Sequence, residues 1–79
     1  MLNFKTNAAC VIFREAVGKS KGGEREFSLS FEQLGVNSNS PEFTEALREI
    51  HDFGVLQVTV TDTTKIEVYV ITDLSDFYE

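Results

Sequence analysis

An α+β domain is what this sequence predicts, and three observations carry that expectation. Between residues 41 and 53 apolar side chains recur at helical spacing, and between residues 56 and 70 they alternate every second residue. The length of 79 residues leaves room for one core, since a chain this short buries only about 60% of the surface its unfolded form exposes. The expected order is helix, short strand, helix, helix, β-hairpin in a single compact domain over residues 1–79, with a core over about residues 4–71 and a C-terminal tail over 72–79.

Phe4, Ala8, Val11, Ile12 and Ala16 recur at helical spacing, and Gly18 stands where a terminating residue would, so a first helix is expected over residues 4–17. The run Ala9-Cys10-Val11-Ile12-Phe13 is apolar all round and fits a buried strand equally well. Lys19-Ser20-Lys21-Gly22-Gly23 favours neither period and reads as a flexible loop. Residues 26–30 alternate as a short strand, and Ser30 with Gln33 forms a capping box that opens a short helix through Leu34, closed by Gly35.

The polar turn Asn37-Ser38-Asn39-Ser40 leads into the clearest element. Ser40 is an N-cap and Pro41 occupies the first helical position, where its missing N–H costs nothing. Phe43, Ala46, Leu47, Ile50 and Phe53 form one stripe, and Gly54 supplies a left-handed stop. Leu56, Val58 and Val60, then Ile66, Val68 and Val70, alternate with polar residues around Asp62-Thr63-Thr64, which predicts a hairpin with one buried face. Leu74 to Glu79 is expected to fray unless Phe77 and Tyr78 pack.

Composition narrows the function classes. Cys10 is the only cysteine, so an internal disulfide and a thiolate metal cluster are both excluded, which suits a reducing compartment. The longest apolar run, residues 8–13, is far too short to span a bilayer and no small-residue cleavage site follows it, so a cytoplasmic, non-membrane protein is expected. The net charge of −6 is divided unevenly: residues 1–25 balance to +3 and residues 26–79 to −9. Such asymmetry bears on the sign of partner surfaces.

No catalytic set emerges. His51 is the single histidine, and no Ser or Cys can be assigned to it as a nucleophile. Cys10 lies in the most apolar segment and reads as a small hydrophobe. Asp73, Asp76 and Glu79 lack the spacing and turn glycine of a calcium loop, and Gly18-Lys19-Ser20 lacks the earlier glycine of a phosphate-binding loop, where Phe13 stands. The expectation is a non-enzymatic protein with no metal and no cofactor.

Two surfaces remain as candidates. Glu42, Glu45, Glu49 and Asp52 are spaced three, four and three apart along one stripe of the helix after Pro41. They suit a basic protein surface, or they form a solvated face whose first glutamate favours the helix dipole. Arg14, Lys19, Lys21 and Arg25, with Lys65 in the hairpin, are the candidates for nucleic-acid contact, or a solubilising loop.

Leu34-Gly35-Val36 after the second helix, and Ala46-Leu47, Ile50 and Gly54-Val55-Leu56 where the third runs into the hairpin, resemble the winged-helix variant of the helix-turn-helix superfamily over residues 4–71. In DNA-reading members the third helix enters the major groove with basic or amide side chains outward. Here the outward stripe is acidic apart from Arg48, and carboxylates repel phosphates. In size and charge the chain is also similar to small inhibitors encoded by phages and mobile elements, anti-CRISPR proteins among them. That similarity implies a partner with a basic, nucleic-acid-handling surface. The other expectation is a small DNA-binding transcriptional regulator or replication accessory using the basic residues. Either a monomer or a homodimer is compatible with the sequence.

Overall fold

In the computed structural model, which describes residues 4–77, the chain runs α1 (Asn7–Lys21), β1 (Glu26–Ser30), α2 (Phe31–Leu34), α3 (Pro41–Phe53), β2 (Leu56–Val60) and β3 (Lys65–Val70), with a 3₁₀ turn at Ser75–Phe77. The expected element order and the α+β class are both found. The ambiguous first segment is a helix. Its N-cap is Thr6, whose hydroxyl accepts from Ala9 N at 3.3 Å.

The end of α1 departs from expectation. The helix passes through Gly18 and takes in Lys19, Ser20 and Lys21, leaving only Gly22 and Gly23 of the expected loop outside it. A glycine inside a helix costs about 1 kcal/mol relative to alanine. Lys19 and Lys21 offset part of that by lying at the negative end of the helix dipole. The stop comes at Gly23, with φ 92°, where Gly23 N bonds Ser20 O and Glu24 N bonds Lys19 O.

The three strands form one antiparallel sheet in the order β1-β3-β2, with β3 central. Register pairs Leu29 with Ile66 and Phe27 with Val68 on one side, and Leu56 with Val70 and Val58 with Val68 on the other. Phe31 N extends the first ladder by one step to Thr64 O, at 2.9 Å. Ile66, Val68 and Val70 are buried. Val58 is only half-buried and Val60 is exposed, although both share that face. Ile66, directly opposite Val60 on the central strand, is fully buried, so cover is lost at the turn end of the edge strand β2 while β3 stays covered. Asp62 holds the turn by accepting from Thr64 N and Lys65 N.

Ala8, Ala9, Ile12 and Ala16 of α1, Phe43, Ala46 and Ile50 of α3 and the inner face of the sheet form the core. Small residues on α1 let α3 approach closely. At one end Phe4, Phe13, Phe53 and Phe77 make a ring cluster with centroids 5.0 to 5.9 Å apart, and Phe31 stacks edge-on against Phe43 at 4.9 Å. Such pairings add about 0.5 to 1.5 kcal/mol beyond their burial. Leu74 is fully buried, so the core does not stop near residue 71: the segment expected to fray is anchored at Leu74 and Phe77. Tyr78 and Glu79, the rest of that tail, lie outside the described residues.

Capping follows the sequence elsewhere. Ser30 and Gln33 bond reciprocally, Ser40 Oγ accepts from Glu42 N at 3.2 Å, and Gly35 and Gly54 are left-handed at φ 75° and 82°. Nothing lies within 4 Å of the position a β-carbon would take on Gly54, so Gly54→Ala tests the backbone conformation alone. The expected loss is about 1 kcal/mol, measured by chemical denaturation, and an unchanged midpoint would contradict the left-handed cap.

Candidate interaction surfaces

Helix α3 presents two sides to its surroundings because its apolar stripe is narrow. Ser40 and Pro41 fix where the helix starts, and Phe43, Ala46 and Ile50 fix its rotation by facing the core. One flank then carries Glu42, Glu45, Glu49 and Asp52. The other carries Leu47, Arg48 and His51 towards β2.

The four carboxylates of the first flank are not equivalent. Glu42, Glu45 and Asp52 are exposed, Glu45 with Arg48 Nη1 at 4.0 Å. Ion pairs as open as this contribute about 0 to 1 kcal/mol. Glu49 is half-buried and turned onto the chain entering α1. Its Oε2 accepts from Lys5 N at 2.6 Å, and its Oε1 accepts from Thr6 N at 3.0 Å and Thr6 Oγ1 at 2.8 Å. Burial pushes its carboxyl up, but the hydrogen bonds from Lys5 and Thr6, with the Lys5 charge, outweigh that and hold it below its ordinary range. Glu49 thus ties α3 to the start of α1, while Thr6 in turn caps that helix. The sequence stripe suggested nothing of this, since its partners lie 43 and 44 residues away.

The basic residues divide as well. Lys19 lies in the last turn of α1 at 3.8 Å from Glu24, and Arg14 and Lys21 are exposed on the same helix. Arg25 enters β1, its carbonyl accepting from Val70 N at 2.8 Å. Lys65 is paired with Ser30 at the opposite end of that strand, so it stands roughly 17 Å from Arg25 along the sheet. The structure brings Lys19, Lys21 and Arg25 to one connection and leaves Lys65 apart from them.

Between α3 and β2 lies a groove of about 720 Å³. Leu47, Ile50, Leu56, Val58 and Ile71 line it, with Arg48 and His51 alongside. The outer face of the sheet is polar, with rows Glu26-Tyr69-Gln57 and Ser28-Glu67-Thr59 across its three strands. The Cys10 thiol donates to Phe4 O at 3.7 Å in a half-buried position. Among the described residues no three His, Cys, Asp or Glu side chains come together to hold a metal, and no helix is long and apolar enough to cross a membrane.

Together these features define a small α+β domain in which helices cover one face of a three-stranded antiparallel sheet, its charged groups segregated by element. Comparison with protein-family models, with curated proteins and with solved structures finds no match.

Proposed function

We propose that this is a non-enzymatic, winged-helix-like interaction domain that binds a basic protein surface through the exposed carboxylates of α3. The order α1-β1-α2-α3-β2-β3 with strands arranged β1-β3-β2 supports the winged-helix comparison. The observation that carries the functional reading is the placement of Glu42, Glu45 and Asp52, open to solvent along one line of the helix that DNA-reading relatives of such a fold would present to phosphates. A row of carboxylates there repels nucleic acid and attracts the proteins that hold it. In this reading the chain inhibits a nucleic-acid-binding machine by occupying its basic channel, as small phage and mobile-element inhibitors of the anti-CRISPR kind do.

The competing reading, a DNA-binding regulator, needs the basic residues to act together. Lys19 is already paired with Glu24, and Lys65 lies far from the others. Titration with random duplex DNA at low salt separates the two. No binding is expected. Association with a steep salt dependence, lost on Lys21→Glu with Arg25→Glu, would replace the acidic-face reading with the regulator.

A further inference from the structure

The outer edge of β2 is unprotected. β2 closes one side of the sheet and pairs only with β3 among the described residues. The bond from Ile71 N to Val55 O, 2.9 Å, fixes the alternation. Val55, Gln57 and Thr59 turn their backbone groups towards β3, so those of Leu56, Val58 and Val60 point away from the sheet. Folded proteins blunt such edges with a charge, a proline or a bulge. Leu56-Gln57-Val58-Thr59-Val60 carries no charge and no proline, and its register against β3 is unbroken.

On the core face the surface beside this edge is free of carboxylates, in a chain that carries thirteen of them; the nearest on the outer face, Glu67, stands one strand inward, opposite Thr59. No Asp or Glu lines the groove between α3 and β2. Two apolar side chains stand exposed at its margins, Val60 at 45% and Ile71 at 51%. An open strand edge and an apolar groove thus form one continuous patch.

We infer that a second copy of this chain docks there, β2 against β2, antiparallel about a two-fold axis through Val58. Register admits that occupant, and the side chains and charge favour it. The outward backbone groups of Leu56, Val58 and Val60 are symmetric about Val58, so a copy turned through the axis meets donor with acceptor at every step, Val58 opposite Val58 and Leu56 opposite Val60. Side chains agree. All three lie on the core face of the strand, so the exposed Val60 of each copy is set against Leu56 of the other, at the mouth of its groove. Charge agrees too. Two copies of net charge −6 repel wherever their carboxylates face, and this edge and groove bring none together. The pair makes one continuous six-stranded sheet and covers neither Glu42, Glu45 nor Asp52, so the inference stands independently of the proposed acidic face.

Sedimentation equilibrium of the wild type and of Val60→Lys tests it, with amide exchange followed across the same concentrations. The wild type is expected to dimerise, and Val60→Lys to raise the dissociation constant at least about tenfold by setting a charge on each side of the junction. Val60 is exposed in the single copy, so the dilute variant should melt as the dilute wild type does. The amides of Leu56, Val58 and Val60 should gain protection with concentration, while those of Gln57 and Thr59, already bonded to β3, should not. A wild type that stays monomeric to about 1 mM, which bounds the association at roughly −4 kcal/mol, overturns the inference. So does a dimer that Val60→Lys leaves intact, or an edge whose amides are protected only when a peptide from another protein is added.

Discussion

Leu74→Ala is expected to remove about 2 to 5 kcal/mol of stability, the range for deleting a leucine from a packed core. A domain of this length has on the order of 4 to 12 kcal/mol in total, so the variant should melt far earlier and at high temperature should fail to fold. Leu74 is fully buried and belongs to the core cluster. Its position is held locally: Asp73 accepts from Ser75 N at 2.9 Å, and Phe77 N bonds Leu74 O at 2.9 Å. That turn delivers Phe77 to the rings of Phe13 and Phe53. Ile71→Ala, at a side chain 51% exposed, serves as the control and should cost no more than about 0.5 kcal/mol. Equal small effects in denaturant titrations of the two variants would mean that the chain past β3 is not part of the core.

Glu49→Ala should cost about 1 to 3 kcal/mol, because three donors on Lys5 and Thr6 lose a charged acceptor. Glu45→Ala, on an open side chain one turn earlier, should stay within about 0.5 kcal/mol. The pH dependence has a defined sign. Glu49 is held below its ordinary value of 4.5 in the folded chain, so its contribution is present above that value and is lost as pH falls through the folded value. The gap between wild type and Glu49→Gln should therefore be widest near neutrality and narrow as pH falls below 4.5. Denaturation midpoints at several pH values read this directly. A gap that does not change with pH would remove the charged form of Glu49 from the account.

How much of this was legible in the sequence depends on the range of the interactions. The capping box at Ser30 and Gln33, the Ser40-Pro41 start, the Gly35 and Gly54 stops and the hairpin alternation are local, and each stands where the residues put it. The end of α1 was misplaced because Gly18 resembles a stop, whereas the left-handed backbone belongs to Gly23. Alternation correctly put Val60 on the inner face but could not tell that β2 is an edge strand, on which Val60 is exposed while Ile66 opposite it is buried. Leu74 is buried and Phe77 half-buried by tertiary packing, and no pattern with period two or 3.6 marks the apolar residues of a polar tail. Of the acidic stripe, spacing gave the shared flank of α3. It could not separate Glu49, bonded to residues at the far end of the chain, from its open neighbours.

The central claim is that Glu42, Glu45 and Asp52 form the binding face, and a rate measures it most directly. The basic protein recovered with the wild-type chain from its native host is the probe, and its association is followed at two salt concentrations with wild type and with Glu42→Lys, Glu45→Lys, Asp52→Lys combined. Glu49 stays in place because it holds α1 to α3. Wild type should associate quickly and slow as salt rises, since exposed charges are screened over about 10 Å at 0.1 M ionic strength. The variant, folded as judged by its melting, should associate at least about tenfold more slowly at low salt, with the salt response abolished or reversed. A variant that associates as fast as wild type and with the same salt response would contradict the account, and the stripe would be a solvated helix face.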